Sequence, residues 1–225
     1  CLVGSEMCIR DRYYIYVKII DILAEKYKIY VYHYRGTMRV ISGTARGTKL
    51  NSIESLSTRP TLDRVKESVF NIIQNQIQDS IILDLFSGSG AIAIEFLSRG
   101  AEKAYLCEHN SNAIKMIYKN LEKTKLTSKS VVIGKDYKKA LEILKEQKVK
   151  LDLIYIDPPY QADIAVDSVN RILSFDLLKE KGNIIIETDD EKRELLELEK
   201  LDVDVKDIRK YGRVTLIFLT KSTEK

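Results

Sequence analysis

Cysteine, tryptophan and histidine are nearly missing from this chain of 225 residues, which has three Cys, no Trp and two His. Cys1, Cys8 and Cys107 show neither metal-ligand nor disulfide spacing, so a reducing, cytoplasmic setting with no metal is expected. No apolar run approaches the roughly 18 residues of a membrane span, and no membrane partner is expected. Internal repeats and low-complexity linkers are missing too. Neither sign of charge dominates: the formal net charge of +4 is too small to name a partner.

What is present is ordinary for a soluble globular protein, with 44% hydrophobic and 31% charged residues. The length suits one large α/β domain, or such a domain with an appendage, and a monomer is expected. The small positive excess is unevenly placed. Between Arg39 and Phe70 six basic residues (Arg39, Arg46, Lys49, Arg59, Arg64, Lys66) stand against three acidic ones. Any electrostatic footprint for a polyanion is therefore concentrated there, although a solvated face reads the same way.

The opening Cys1–Arg12 resembles translated sequencing-adapter read and lacks the apolar core of a signal peptide. Tyr13–Thr37 holds seven of the thirteen tyrosines and is rich in Ile and Lys, residues with A/T-rich codons. The alternative is a real helix, because Val17, Ile20, Leu23 and Ala24 fall at helical spacing. Residues 1–37 are expected to be a non-native extension, with the native start at Met38.

From Met38 onward, residues 38–60 read as a basic β arm, with short apolar pieces between Gly, Ser and Thr. Residues 61–225 read as the main domain. Thr61 is expected to cap a helix with Leu62, Val65, Val69, Ile72, Ile73 and Ile77 on its apolar face. Strand-like and helix-like segments then alternate. Strands are expected at Ile81–Leu85, Lys103–Cys107, Val131–Ile133, Leu151–Ile156 and Asn183–Glu187, and Asn110 is expected to cap the helix after the second. Val203–Arg209 and Val214–Thr220 flank Tyr211-Gly212-Arg213 as an antiparallel pair. Such alternation means a mostly parallel sheet covered on both faces, and the closing pair suits a Rossmann fold of the methyltransferase type, with seven strands and a terminal antiparallel strand.

The chemistry sits at the strand ends. Asp84-Leu-Phe86-Ser-Gly88-Ser-Gly90 follows the first strand, where glycines let the backbone turn tightly and approach a ligand. Plain packing is the alternative use of such a turn. Glu108 ends the second strand, 24 residues after Asp84, where an acid can hold both ribose hydroxyls. Asp136 ends the third. NAD binding competes for these three positions but gives no role to Asp157-Pro158-Pro159-Tyr160 after the fourth strand. That tetrad suits methylation of a planar amino group. An exocyclic amine is a poor nucleophile because its lone pair is delocalised into the ring. A carboxylate and a backbone carbonyl can accept hydrogen bonds from the NH2 and favour a more tetrahedral nitrogen. The prolines fix the Pro158 carbonyl, and the Tyr160 ring can stack on an extracted base. Cys107 reads as an ordinary strand cysteine.

Together these residues resemble the RsmD family of bacterial methyltransferases. The most specific part is Arg59-Pro-Thr-Leu-Asp-Arg-Val-Lys-Glu-Ser-Val-Phe-Asn71, supported by Arg39-Val-Ile-Ser-Gly, Arg46-Gly and Tyr211-Gly-Arg-Val214. Glu108 is followed by His109 where that family more usually has Asp or Arg. The resemblance implies methyl transfer from S-adenosylmethionine, leaving S-adenosylhomocysteine, to guanine N2 of 16S ribosomal RNA. By the same resemblance the target is guanine 966, on an assembled 30S particle. Asp84, Phe86, Gly88, Gly90, Glu108 and Asp136 are then expected to bind cofactor, Asp157 to Tyr160 to act in catalysis, and Asp136 to lie near the adenine amino group. Arg39, Arg46, Arg59, Arg64 and Lys66 are expected to contact RNA, although Arg64 and Glu67 suit a helix-surface ion pair equally well. The competing functions are amino-methylation of another RNA or DNA base, such as adenine N6, and a non-catalytic RNA-binding assembly factor on the same fold.

Overall fold

The computed structural model describes residues 38–52, 60–159 and 164–222. The strands explain the architecture. Ile81–Asp84 (β1), Lys103–Cys107 (β2), Ser130–Ile133 (β3), Leu151–Ile156 (β4) and Leu178–Thr188 (β5) are mostly runs of apolar residues, with β1, β2 and β4 buried almost throughout and β5 over its second half. Strands apolar on both sides need cover on both sides. That cover comes from α1 (Pro60–Ile72), α2 (Ala91–Ser98) and α3 (Ser111–Thr124) on one face, and α4 (Tyr137–Glu146) and α5 (Ile164–Ser174) on the other. Alternate strand residues serve the two layers: Leu153 and Tyr155 belong to the first core, Ile154 and Ile156 to the second.

After α6 (Glu191–Leu198), the strands Val203–Tyr211 (β6) and Val214–Lys221 (β7) complete a seven-stranded sheet in the order β3-β2-β1-β4-β5-β7-β6. Pairing is parallel through β5, and β7 runs antiparallel to both neighbours. The reversed strand is thus one place in from the edge, because β6 pairs outside it.

Several local expectations shift. α1 begins at Pro60 rather than after a Thr61 cap, since proline has no N–H to lose at a first helical position. Ile72 is 38% exposed, and Phe70 takes its place inside, edge-on to Phe96 at 4.7 Å. β5 starts at Leu178, five residues before the apolar run, after an irregular pairing with β4. Asn110 caps α3 as expected, accepting from the N–H groups of Asn112 and Ala113. The arm is not a regular hairpin. Among the described residues it holds one bridge, Arg39 to Lys49, and backbone bonds of its own such as Val40 N–H to the Thr48 carbonyl and Leu50 N–H to the Met38 carbonyl, and it gives other polar groups to the helices. The N–H groups of Ile41 and Ser42 donate to the Glu95 carboxylate at 2.8 and 2.9 Å, and those of Thr44 and Ala45 to Ser98. Gly43 makes this approach possible: a Cβ there would lie 1.7 Å from the Ser98 carbonyl oxygen.

Candidate active site

In this strand order the direction of sheet growth switches between β1 and β4, and the crevice beyond their carboxyl ends is where such folds bind ligands. Ser87 starts the turn after β1 by donating its hydroxyl to the Asp84 carbonyl. Gly88 and Gly90 both have positive φ, +52° and +78°, which only glycine adopts without strain. Their surroundings differ. No atom lies within 4 Å of where a Gly88 Cβ would be, so the backbone there is open to a ligand. A Cβ on Gly90 would meet Leu106 at 3.2 Å and Ile117 at 3.4 Å, so that glycine serves close packing of α2 and α3 on the sheet.

Asp84 is almost fully buried and accepts from the Ala93 N–H at 3.3 Å. Burial raises its pKa to about 7, against the smaller opposing effects of the Ala93 and Ser87 hydrogen bonds. Glu108 accepts from Gly88 N–H at 3.0 Å through Oε2, and from His109 and Asn110 N–H at 2.8 Å through Oε1. It therefore pins the glycine turn, and Oε2 keeps an acceptor position for a hydroxyl. Asp136 caps α4 through Oδ1, accepting from Lys138 and Lys139 N–H, which leaves its second oxygen outside the cap. Phe86 packs against Tyr137 at 5.6 Å between the ends of β1 and β3. These features fit S-adenosylmethionine: an open backbone at Gly88, a carboxylate beside it, and aromatic surface next to an acid. Cys107 is buried and donates its thiol to the Lys135 carbonyl, in keeping with a structural role.

Asp157, Pro158 and Pro159 leave the end of β4 next to that turn, since Asp84 pairs with Tyr155 and Leu85 N–H donates to the Tyr155 carbonyl. Asp157 is exposed as a residue, yet its carboxyl is desolvated by the protein around it. Desolvation there, and then repulsion from Glu187 and Asp84, raise its pKa well above the ordinary carboxylate value. Glu187, at the end of β5, is a site residue that the motifs did not single out. It is buried and accepts from the Tyr155 hydroxyl at 2.5 Å. Its only sequence signal is an acid closing the run Ile184-Ile-Ile186.

Tyr160 and Arg59 lie outside the described residues, as does the side chain of Arg64. Arg39 and Arg46 are exposed on the arm. Lys66 departs from the expected surface position. It is 6% exposed, its ammonium is 3.0 Å from the Glu95 carboxylate and donates to the Arg39 carbonyl, and Arg99 holds the other Glu95 oxygen at 2.8 Å. A lysine turned inward to balance a fully buried glutamate presents no charge to a polyanion.

The sheet order, the glycine turn after β1 and the acids at successive strand ends define a methyltransferase-type Rossmann domain. The chain belongs to the RsmD family: the family described as Conserved hypothetical protein 95 matches residues 38–220. It is 38% identical over 154 residues to a candidate rRNA methyltransferase of Bacillus subtilis, YlbH, covering 68% of this chain and 84% of that one. It is 34% identical over 168 residues to the ribosomal RNA small subunit methyltransferase D of Haemophilus influenzae, covering 73% and 86%. A solved structure of a candidate methyltransferase of Escherichia coli, yhhF, superposes with a TM-score of 0.69 at 25% identity, covering 84% of this chain and all of that one.

Proposed function

We propose that this chain transfers a methyl group from S-adenosylmethionine to the exocyclic N2 of a guanine in 16S ribosomal RNA, guanine 966, on the assembled 30S particle. The observation that carries the reading is the Asp157-Pro158-Pro159 loop set beside the Gly88 turn at the switch between β1 and β4. Relatives named for ribosomal RNA methylation support the substrate class.

The cofactor, when bound, supplies a methyl group activated on a sulfonium. Gly88 offers backbone to it, Glu108 a carboxylate oxygen for the ribose, and Phe86 and Asp136 the surroundings of the adenine. Asp157 accepts from the target NH2 together with the Pro158 carbonyl, and so orients the nitrogen lone pair. Tyr160 stacks on the extracted base. Arg39 and Arg46, with Arg59 and Arg64 from the sequence motif, supply phosphate contacts. Lys66 is left out of that set because its charge is spent on Glu95. The enzyme acts as a cytoplasmic monomer, with 38–60 as the arm and 61–225 as the catalytic domain.

The test is methyl transfer from labelled cofactor to protein-free rRNA and to 30S particles, followed by nucleoside digestion. N2-methylguanosine from 30S particles is expected. Asp157→Ala should lower the rate by about 10²–10³, the usual loss when a preorganised acceptor is removed from a developing charge. N6-methyladenosine in the digest would replace the substrate, and near-normal turnover by Asp157→Ala would overturn the mechanism.

A further inference from the structure

Tyr155 and Glu187 are left without a task by the reaction above. Both are buried, and the Tyr155 hydroxyl donates to Glu187 Oε2. A hydroxyl placed in a core this way fixes the carboxylate it serves. Ile156 of β4 pairs with Ile186 of β5, so Asp157 and Glu187 leave neighbouring strands side by side. Pro158, Pro159 and Glu187 also border one small cavity at this end of the sheet.

We propose that Glu187 is a positioning residue for Asp157: held by Tyr155, its carboxylate makes Asp157 the group that takes the proton shed by the methylated amine. The inference rests on the reading of the chain as an amine methyltransferase. The chemistry balances. The guanine nitrogen bonds to the methyl carbon as the bond from that carbon to sulfur breaks, and the nitrogen becomes cationic. One N–H bond then breaks, its electron pair stays on nitrogen, and the proton passes to Asp157. A solitary aspartate with an ordinary pKa holds a proton too weakly for this near neutral pH. A second buried carboxylate beside it disfavours the doubly ionised state and raises its basicity.

Other charged groups surround the pair. Asp84 on β1 acts in the same direction as Glu187. Asp189, Arg193 and Glu194 border the cavity on the side of α6, with Arg193 and Glu194 paired at 2.8 Å. Lys66 and Arg99 both pair with Glu95 in the helix layer over this face of the sheet, a cluster with one positive charge in excess.

Glu187→Gln keeps an oxygen for the Tyr155 hydroxyl and removes the charge. Methyl transfer is followed against pH, with cofactor affinity and melting temperature measured alongside. The acidic limb of kcat should move to lower pH, because Asp157 then stays ionised further down, while the plateau falls about tenfold as the base weakens. Tyr155→Phe should move the limb the same way, since Glu187 loses the donor that favours its charged form. It also serves should Glu187→Gln fail to fold. A structural role alone would lower stability and leave the limb in place, and an unshifted limb with normal cofactor affinity overturns the proposal. Carboxyl carbon NMR of Asp157 in RNA-free protein separates the two readings. A lower Asp157 titration midpoint in Glu187→Gln supports the pairing even if no rRNA is methylated, and that failure would belong to the functional assignment. An unchanged midpoint overturns the pairing whatever the RNA assay gives.

Discussion

Asp84 carries a prediction that belongs to one carboxyl group. Its pKa of about 7 in the folded chain lies above the ordinary value of 3.8, so the folded state holds the proton more tightly than the unfolded state does. Its contribution to stability is therefore complete below about pH 4 and is lost as pH rises through about 7. Asp157 and Glu187, also raised, act with the same sign. Thermal unfolding of the cofactor-free protein should show stability falling between about pH 4 and 7, and Asp84→Asn should flatten that slope. An identical slope in the variant would place the titration elsewhere. Ionised Asp84 adds negative charge near the Gly88 turn, so the acid that weakens the empty fold favours a cationic ligand.

At the scale of elements, the arm and α2 separate two functions that the sequence ran together. Arg39 and Arg46 face solvent, while Glu95, Ser98 and Lys66 hold the arm down from within. Replacing both arginines with alanine should weaken RNA binding and flatten its salt dependence by about one slope unit per lost phosphate contact. Cofactor affinity, measured by titration, should stay as in the parent protein. An unchanged salt slope would return both residues to a solvated face. The strand-end positions of Asp84, Glu108, Asp136 and Asp157 were legible in the sequence because buried parallel strands are continuous apolar runs, and the polar residue that stops each run marks where the strand ends. Lys66 was not legible: a lysine in a helix motif looks the same whether it faces water or a glutamate 29 residues away. Glu187 closes an apolar run in the same way as those acids but is followed by neither a glycine turn nor a proline pair, so it drew no role, and only the pairing of β4 with β5 brings it to Asp157. The inset position of β7 was hidden for a similar reason, since a hairpin spells out its own pairing but not which arm joins the sheet.

For the whole molecule, the family match begins at Met38. A chain starting at Met38 is expected to fold, bind cofactor and methylate RNA as the full chain does, as checked by thermal melting and methyl transfer. An insoluble or inactive product would make residues 1–37 part of the working protein.

The clamp on the arm also sets a timetable for synthesis. Ile41 finds its acceptor on Glu95, 54 residues later. At about 5–20 residues per second of translation, the arm emerges about 3–11 s before the carboxylate that fastens it. Through that interval its two glycine turns and exposed arginines have no fixed partner. The first segment of the domain to leave the ribosome thus waits for one made later, and its docking reports that the first strand and α2 have been completed.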